Sequence, residues 1–510
     1  MKILSPLQIK EADVYTIANE PISSIDLMER ASEGFTNWFT SIYPNDETVI
    51  VFAGMGNNGG DAMAIARMLK GYKYTVIVYI VRYSDKQSED CVINEKRLKE
   101  IDEVEIHELT EDNWKELLEL QDNAILIDGL WGSGLSRPIE GFTADLIAKI
   151  NRRIKAKKDL EVVAIDIPSG LYAEQAQEGR VFRANRTYSF ELPKLNFLLE
   201  ENFQFTGYWD LGSIGLMQEF IDKQDTNYFY ITAKDVDEMI VSRGKFDHKG
   251  NYGHSLLLCG CAGKMGAAVL AADACIRTGS GLTTVHVPAH GNVIMQTTLP
   301  EVMTSIDSNE TYISELPDIG SYTAIGIGPG IGTEAKTLEA FTALIERSDT
   351  PLVVDADGLN LLAHNKKLLD QLPKDSILTP HPGEFKRLAG EFSDDHARLD
   401  GLRKMAATLG TYIVLKGAHT AVACPDGETW FNSTGNPGMA SGGSGDVLCG
   451  MLTSLLAQGY SSKEACIIGV FLHGLAADIA ACFTSMEALK AGDIIDNIGA
   501  AFIQVGDYEV

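Results

Sequence analysis

A glycine-rich segment in the second half of the chain combines the residue types that phosphoryl transfer needs. It reads NPGMASGGSGDVLCGML over residues 436–452, and an apolar helix is predicted to begin inside it. The backbone amides of Gly443, Ser444 and Gly445 would point at a phosphoryl group as its negative charge shifts. Asp446 would lie beside them, placed to accept a proton from a substrate hydroxyl. The alternative is an ordinary aspartate in a first helical turn, where acids are favoured.

Three other segments of this half place polar groups after predicted strands. LKGAHT (415–420) offers Lys416 and backbone donors to a nucleotide phosphate, and GPGIG (328–332) permits close approach of a phosphate or a ribose. TPHPGEF (379–385) holds His381 in a loop that contains proline. A single histidine often satisfies only local hydrogen bonds, so a structural role for His381 stays open beside a functional one.

The first half contains a glycine loop that departs from the usual dinucleotide-binding pattern. Gly54, Gly56 and Gly59 form G-x-G-x-x-G after a predicted strand and before a helix, which is the pattern of a pyrophosphate site. Asp61, however, would put a carboxylate in the first helical turn, where a pyrophosphate needs positive potential. No acidic residue follows the second strand to hold an adenosine ribose. The loop therefore favours another ligand.

The side chains of this loop offer different chemistry. Asn57 and Asn58 supply amide donors and acceptors, and Asp61 can bind sugar hydroxyls or a cation. The alternative is that Asn-Asn-Gly-Gly only makes a turn and that Asp61 is a helix-favouring acid.

Two further loops of the first half add acidic strand ends. DGLWGSGLSRP begins with Asp128 and contains Gly132–Gly134, whose amides can hold phosphate. DIPSG contains Asp166 and Ser169. Acidic strand ends that converge on one crevice indicate a monovalent-cation site and a catalytic carboxylate beside a phosphate site. Taken alone, Asp166 would more usually cap the turn that follows it.

Strands that alternate with helices would position these loops. The strand candidates of the first half are ETVIVFAG (47–54), YTVIVYIV (74–81), NAILIDGL (123–130) and EVVAIDIPSG (161–170). Those of the second half are HSLLLCG, GLTTVHVP, YTAIGIGPG, PLVVDADG, DSILTPHPG and TYIVLKG. The alternation predicts an α/β protein with a doubly wound parallel sheet in the first half, where ligands bind beyond the carboxyl ends of the strands. Residues 84–122 are acidic and helical in pattern, and we expect a solvated face there.

A polar stretch near residue 225 separates the two halves, which gives the domains 1–225 and 226–510. The length of 510 residues also predicts more than one domain. A hydrophobic share of 45% is that of a globular enzyme, and the net charge of −28 argues against a nucleic-acid partner. The eight cysteines show neither metal-ligand spacing nor a disulfide pattern. We expect a cytoplasmic protein with no signal peptide, no membrane-spanning run and no membrane partner.

Four motifs occur in this order in the first half: LMERAS (27–32), GMGNNGGD, DGLWGSGLSRP and DIPSG. Together they resemble the NAD(P)H-hydrate epimerase family, and the resemblance covers nearly all of residues 1–220. The resemblance implies that Asp166 moves the proton when the R and S hydrates interconvert. It assigns hydrate binding to Asn57, Asn58, Gly59, Gly60, Asp61, Gly132, Ser133, Gly134, Leu135, Ser136, Arg137, Pro138 and Asp166. It assigns potassium to Asn58, Asp128 and Ser169.

This sequence departs from the epimerase pattern in one place and leaves one partner open. The usual GGDG reads GGDA, so Ala62 would remove a close backbone approach. The basic partner of Asp166 is not evident from the sequence, and Arg82 lies where some relatives carry lysine.

The second half contains the motifs HKGNYG, GKMGAA, GPGIG, TPHPGE, LKGAHT and SGGSGDVL. They resemble the ribokinase-like superfamily over most of residues 245–480, and within it the ADP- or ATP-dependent NAD(P)H-hydrate dehydratases. The resemblance implies a ribokinase-like α/β domain. It assigns hydrate contacts to Ala267, Gly330, His381 and Asp446, with Asp446 catalytic. It assigns nucleotide contacts to Lys416, Gly417, Ala418, His419, Thr420 and Gly445.

Together the two resemblances imply a bifunctional enzyme that repairs hydrated NADH and NADPH. The expected small-molecule partners are NADHX, NADPHX and ADP or ATP, with ADP favoured, and magnesium accompanies the nucleotide. We also expect a homo-oligomer. A small-molecule kinase with an accessory Rossmann-like domain is the nearest alternative, since sugar and vitamin kinases share the Gly-x-Gly-Asp loop. An RNA-associated scaffold and an NAD-dependent dehydrogenase are more distant alternatives.

Overall fold

The computed structural model describes residues 1–156 and 160–506, and these form two compact units. The amino-terminal unit contains the described residues of Lys2–Thr226 together with Asp394–His396. The carboxy-terminal unit contains Met1, Asn227–Ser393 and the described residues from Ala397 onward.

The amino-terminal unit is built on one sheet of seven strands, and every neighbouring pair in it is parallel. The strands are β1 Thr48–Ala53, β2 Thr75–Val81, β3 Glu105–Leu109, β4 Ile125–Gly129, β5 Glu161–Ile165, β6 Arg186–Phe190 and β7 Tyr208–Gly212. Their order is β3-β2-β1-β4-β5-β6-β7, so the direction of winding reverses between β1 and β4. Loops that leave two such strands diverge and open a crevice at the carboxyl ends.

Helices cover both faces of this sheet and bury its apolar side chains in two cores. They are α1 Pro6–Asn19, α2 Ser24–Ile42, α3 Asn57–Gly71, α4 Glu89–Lys99, α5 Trp114–Leu117, α6 Gly141–Ala156, α7 Phe203–Thr206 and α8 Gln218–Lys223. Two short 3-10 helices, Leu195–Leu198 and Glu200–Asn202, precede α7. Helices α2, α3 and α4 contribute to one core, and α6 contributes to the other.

The expectation of a solvated helical face over residues 84–122 was incomplete, because the segment also contains β3. This strand lies at the edge of the sheet and pairs only with β2. Its sequence, EIHEL, is half exposed and carries no continuous apolar run. Strands β6 and β7 lie toward the other edge, and sequence analysis did not predict them either. Polar residues interrupt the apolar pattern of β6, and β7 carries polar and half-exposed residues.

The carboxy-terminal unit holds a sheet of ten strands. They are β8 Tyr228–Tyr230, β9 His254–Leu258, β10 Leu282–Val287, β11 Met303–Ile306, β12 Ala324–Ile327, β13 Leu352–Val354, β14 Ile377–Leu378, β15 Tyr412–Leu415, β16 Ala421–Ala423 and β17 Thr429–Phe431. The order is β11-β10-β9-β12-β13-β14-β15-β16-β17-β8. The pairs β15/β16 and β16/β17 are antiparallel and the others are parallel. The predicted α/β class is confirmed for both units.

The helices of this unit pack on its sheet and on one another. They are α9 Ala233–Met239, α10 Met265–Arg277, α11 Gly291–Thr298, α12 Ala335–Arg347, α13 Asp357–His364, α14 Pro382–Ala389, α15 Asp395–Leu409, α16 Ser444–Ala457, α17 Ser462–Thr484 and α18 Ala491–Val505. Short 3-10 helices span Lys249–Tyr252, Lys366–Gln371 and Pro437–Met439.

The expectation that no segment has the length and composition of a membrane span was wrong for helix α17. Its 23 residues include a window with a mean hydropathy of 2.0, which is long and apolar enough to cross a membrane. Of that window, 67% is buried against the rest of the unit, in the core that it shares with α16 and α18. Packing within the protein accounts for the apolar composition of this helix.

Candidate active sites

Close packing of the backbone leaves no room for side chains at two glycines of the glycine loop in the amino-terminal unit. A Cβ atom at Gly54 would lie 1.9 Å from the carbonyl oxygen of Leu130, and one at Gly59 would lie 2.1 Å from the carbonyl oxygen of Gly54. These glycines therefore hold the β1–α3 turn against the loop after β4. Ala62, which replaces the last glycine of the usual GGDG, is fully buried, and its methyl group packs against Gly129 on β4.

Asp166 lies directly after β5 and forms a buried ion pair with Lys194. The lysine Nζ donates to Asp166 Oδ1 at 2.5 Å and to Ser189 Oγ at 2.7 Å, and also to the carbonyl oxygens of Phe190 and Leu192. Lys194 is 1% exposed. Asp166 has a φ of +63°, a left-handed conformation that is unusual for an aspartate and is often found at functional sites.

Lys194 is the basic partner of Asp166, and Arg82 is not. Arg82 forms ion pairs with Glu95 and Glu108. These hold it on the β2–β3 side of the sheet, whereas Asp166 lies beyond β4, where the direction of winding has reversed. Sequence analysis missed Lys194 because β6, the strand that delivers it, was not recognised. The segment LPKLN carries a lysine between apolar residues, and a buried lysine needs a partner.

Asp128 and Ser169 lie together at the carboxyl ends of β4 and β5. Ser169 donates its hydroxyl to Asp128 Oδ1 at 2.6 Å and its amide to Asp128 Oδ2 at 2.7 Å. Burial raises the pKa of Asp128 to about 6, and the bonds from Ser169 and from the Leu130 amide oppose this rise. Asn58 packs beside Gly132 in the same crevice, and its Nδ2 is buried without a hydrogen-bond partner within residues 1–156 and 160–506.

Asp61 and the loop after β4 lie at this crevice with different exposures. Asp61 is 8% exposed and accepts a hydrogen bond from Ser32, and burial together with the charge of Asp166 raises its pKa well above the usual range. The loop 132–138 is largely accessible, and within the described residues the amides of Gly132–Arg137 donate no hydrogen bond. They are free to bind an anion.

In the carboxy-terminal unit, α16 begins at the predicted glycine-rich turn. Gly443 is the N-cap and has a φ of +98°, which a residue with a side chain rarely adopts. Asp446 lies in the first turn, and its carboxylate makes no hydrogen bond or ion pair with any described residue. Burial and then the charge of Asp355 raise its pKa to about 6, and Lys416 acts in the opposite direction.

Lys416 lies beside this helix terminus and is held by a buried acid. Its Nζ donates to Asp355 Oδ1 at 2.8 Å, and the Thr379 hydroxyl donates to the same oxygen at 2.7 Å. A Cβ atom at Gly445 would lie 3.2 Å from Lys416 Nζ. The structure therefore brings together the ammonium of Lys416, the backbone amide of Gly445 and the carboxylate of Asp446, which has no partner among the described residues.

The rest of the predicted 416–420 segment forms a closed turn. Gly417 donates its amide to the Thr420 hydroxyl at 3.3 Å, and Gly417 and Ala418 are exposed. The His419 ring shares a hydrogen bond with the Asn432 carbonyl oxygen at 3.1 Å, and burial lowers its pKa. The backbone of this turn, rather than the histidine, is available to a ligand.

The GPGIG loop approaches the start of α10 and the strand end of β13. A Cβ atom at Gly330 would lie 3.1 Å from the Ala267 Cβ, so these two predicted hydrate contacts are neighbours. Gly328 has a φ of +131°, and its Cα lies so close to the Asp355 carbonyl that an added Cβ would be 1.8 Å from that oxygen. Gly332 donates its amide to Asp357 at 2.9 Å.

His381 caps a helix. Its Nδ1 accepts the amide of Gly383 at 3.0 Å, and Glu384 accepts the amide of His381 at 2.9 Å, which together form a capping box at the start of α14. Its side chain is 52% exposed, so it is still accessible to a ligand. The local structural role that stayed open in the sequence is therefore present.

Sequence analysis missed two acids that organise this site. Asp355 holds Lys416, and Asp357 binds Lys264 at 3.1 Å as well as the Gly332 amide. The signal was present in PLVVDADG, because both acids come after a run of apolar residues, as Asp128 and Asp166 do.

The fold and the two sites define a two-domain α/β enzyme. It combines a buried acid–lysine pair with a glycine-rich helix terminus at which a lysine and an aspartate lie. A family described as NAD(P)H-hydrate dehydratase matches residues 255–499, and one described as YjeF-related protein N-terminus matches residues 24–196. The bifunctional NAD(P)H-hydrate repair enzyme of Moorella thermoacetica is 34% identical, over 97% of this chain and 96% of the relative. The chain therefore belongs to the family of bifunctional NAD(P)H-hydrate repair enzymes.

A second full-length relative agrees with this membership, and a solved structure is similar to the carboxy-terminal part of the chain. The bifunctional repair enzyme of Escherichia coli K12 is 31% identical over 93% of this chain and 88% of its own. The solved ADP/ATP-dependent NAD(P)H-hydrate dehydratase of Bacillus subtilis, co-crystallised with ATP/Mg2+, is 30% identical, with a TM-score of 0.49, and covers 55% of this chain and 100% of its own. The predicted bifunctional repair enzyme is confirmed over the small-molecule kinase with an accessory domain.

Proposed function

We propose that the carboxy-terminal unit dehydrates the S form of NADHX or NADPHX at the expense of ADP, with ATP as the alternative donor, and that the amino-terminal unit interconverts the R and S forms. The observation that carries this proposal is the carboxylate of Asp446, which has no partner among the described residues and lies at a glycine-rich helix terminus beside the Lys416 ammonium. A base and an anion site are what the activation of a substrate hydroxyl by phosphorylation requires.

In the dehydration, Asp446 takes the proton of the substrate hydroxyl as its oxygen attacks the terminal phosphorus of the nucleotide. The bond from that phosphorus to the bridging oxygen breaks, and AMP leaves when ADP is the donor. The ring nitrogen then supplies an electron pair, the carbon–oxygen bond breaks and phosphate departs. Loss of a proton from the adjacent ring carbon restores the dihydropyridine. Lys416 and the amides at the start of α16 stabilise the charge on the transferred group.

In the epimerisation, the reacting carbon carries a hydroxyl and is bonded to the ring nitrogen. Asp166 is placed to exchange a proton at this hydroxyl, and Lys194 fixes the orientation of its carboxylate by the ion pair. The free amides of the loop 132–138 would bind the phosphates of the dinucleotide. An enzyme that dehydrates one epimer leaves the other unused, so an attached epimerase makes the repair complete.

Potassium fits the crevice of the amino-terminal unit. Asn58, Asp128 and Ser169 offer oxygen ligands, and Asp128 is fully buried without a basic partner in the described chain. A bound cation would supply the charge that this carboxylate lacks and would steady the loops after β4 and β5. Magnesium would be held mainly by the nucleotide phosphates, since no cluster of three acidic, histidine or cysteine side chains suited to a metal occurs within residues 1–156 and 160–506.

The test is the near-ultraviolet absorbance of restored NADH after the whole protein is mixed with an R/S mixture of NADH hydrate, ADP, magnesium and potassium. We expect recovery of both epimers, the S form quickly and the R form at the rate of epimerisation. Asp446→Asn should abolish recovery, and Asp237→Asn, which removes an exposed charge from α9, should not. Recovery by Asp446→Asn at the rate of the unaltered protein would refute the assigned role.

Parallel reactions with ATP in place of ADP identify the donor, and free phosphate should appear in equal amount to restored NADH. A stable phosphorylated product without restored NADH would indicate a kinase. We retain the homo-oligomer as a prediction, which sedimentation of the purified chain measures.

A further inference from the structure

Helix α17 carries a histidine and an aspartate that no sequence motif included. These are His473 and Asp478, and over residues 465–483 the other side chains are apolar, glycine or cysteine. His473 is 7% exposed and Asp478 is half buried. A polar side chain in such surroundings costs free energy unless it is hydrogen-bonded, so the partners of these two residues show what they do for the fold.

Asp478 holds the chain where it enters the glycine-rich turn before α16. Its Oδ2 accepts the amide of Gly435 at 2.8 Å, and its Oδ1 accepts the side-chain amide of Asn436 at 2.8 Å. The backbone of α17 takes part as well, since the Thr434 hydroxyl donates to the carbonyl oxygen of Phe471 at 2.7 Å. The turn therefore begins on the surface of α17.

His473 holds the other end of this turn, at the first residue of α16. Its Nε2 lies 3.4 Å from the hydroxyl oxygen of Ser444, which makes no other hydrogen bond with a described residue. Burial lowers the pKa of His473 to about 4, and a hydrogen bond with the Ser444 backbone acts in the opposite direction. The imidazole is therefore neutral near neutral pH, and an unprotonated Nε2 accepts the hydroxyl proton of Ser444.

Helix α17 is a firm support for both contacts. It shares a buried core with α16 and α18. Gly474, the residue after His473, lets the chain of the turn approach closely, because a Cβ atom there would lie 2.4 Å from Thr434 Oγ1. Both ends of the turn are thus fastened to a helix that packing holds in place.

The direction of the first turn of α16 matters for the proposed dehydration. Amides that stabilise charge on a transferred phosphoryl group are effective when their orientation is set before the reaction. The glycines of this turn place few restraints on the backbone, and Gly443 has a φ of +98°. A contact that fixes Ser444 also fixes the amide of Gly445 and the position of Asp446, because all three lie in one helical turn.

We propose that His473 is a positioning residue of the dehydration, which acts through the Ser444 hydroxyl to hold the first turn of α16 in the orientation that binds the transferred phosphoryl group. Asp478 holds the entering chain in the same way. The inference rests on the proposed dehydratase function of this unit. His473 contacts neither the hydrate nor the nucleotide and takes no proton in the reaction.

The experiment measures restored NADH from the S hydrate with ADP, magnesium and potassium, using the full-length protein. His473→Leu keeps a side chain of similar size but removes the acceptor. We expect kcat to fall about tenfold, the worth of one hydrogen bond, with the KM for the hydrate unchanged, because the turn acts on charge that develops in the transition state.

Two further variants separate positioning from a general effect on the fold. His473→Gln offers an amide oxygen in place of Nε2 and should restore most of the lost kcat. His364→Leu, at an exposed histidine at the end of α13, is the matched control and should leave kcat and KM unchanged.

Ser444→Ala tests the route of the effect, since it breaks the same contact without altering the core around α17. It should also lower kcat, and in its background His473→Leu should cost less than about twofold more. The proposal is overturned if His473→Leu costs the same factor in both backgrounds, or if His473→Gln loses as much kcat as His473→Leu. A Ser444→Ala kcat within about twofold of the unaltered value overturns it too, even where His473→Leu does not fold. If the unaltered protein restores no NADH with ADP or ATP, the dehydratase function fails, and this role of His473 fails with it.

Discussion

The substitution Lys194→Met tests whether the buried ion pair organises the amino-terminal unit. Methionine keeps the length and apolar stem of the side chain but removes the ammonium, which donates to Asp166, Ser189 and two carbonyl oxygens. Asp166 would then keep only the amide of Phe190, at 3.3 Å. An unpaired carboxylate left in a buried site costs about 3–5 kcal/mol.

The double variant Asp166→Asn with Lys194→Met separates this penalty from the loss of packing. It leaves no uncompensated charge, so at least half of the lost stability should return. Lys86→Met, at an exposed loop lysine, is the matched control and should change the free energy of unfolding by less than about 0.5 kcal/mol.

Urea unfolding followed by tryptophan fluorescence is a suitable assay because four of the five tryptophans lie in this unit. They are Trp38, Trp114, Trp131 and Trp209, whereas Trp430 belongs to the other. Dehydration of the S hydrate by the intact carboxy-terminal unit checks that the purified variant is otherwise sound. A Lys194→Met transition that coincides with that of the unaltered protein would refute the view that the pair stabilises the site.

Three further outcomes concern the carboxy-terminal unit. Because the pKa of Asp446 is about 6 and the base must be ionised, dehydration should fall about tenfold for each pH unit below that value, and initial rates that stay flat to pH 5 would contradict this role. Lys416→Gln removes the charge that lowers this pKa, so the acid limb should move to higher pH; rate profiles of both proteins measure the shift. Gly328→Ala forces a methyl group against the Asp355 carbonyl and should destabilise the unit by roughly 3 kcal/mol or more, measured as a lower urea midpoint. Gly427→Ala, at a φ of +95° with no atom within 4 Å of the added Cβ, should cost less, and equal losses would argue against the steric explanation.

The central strands of both sheets could be predicted from sequence because they are buried on both faces. Strands β1, β2 and β4 appear as continuous apolar runs, and their residues are almost wholly buried. Strands β3 and β8 could not be predicted in this way. They lie at sheet edges and carry half-exposed residues, so their apolar pattern is weak.

The predicted site residues were those that share a short motif with a strand end. Asp128 lies at the end of a strand, Asp166 directly follows one, and Asp446 follows a glycine-rich turn. At each place a local sequence pattern indicates a position at the carboxyl end of the sheet, where ligands bind. Lys194 belongs to no such motif. It reaches the crevice from the turn after β6, a strand that the sequence analysis did not recognise.

The sequence alone determined the two α/β domains, the glycine-rich turns and the acids at the strand ends, because these depend on apolar periodicity and on backbone conformations that few residues adopt. Only the tertiary structure decided the partners of those acids. Asp166 and Lys194 are 28 residues apart, and Asp355 and Lys416 are 61 apart. Which charges meet in a buried site depends on the order of strands in the sheet, and that order is set by packing between distant segments.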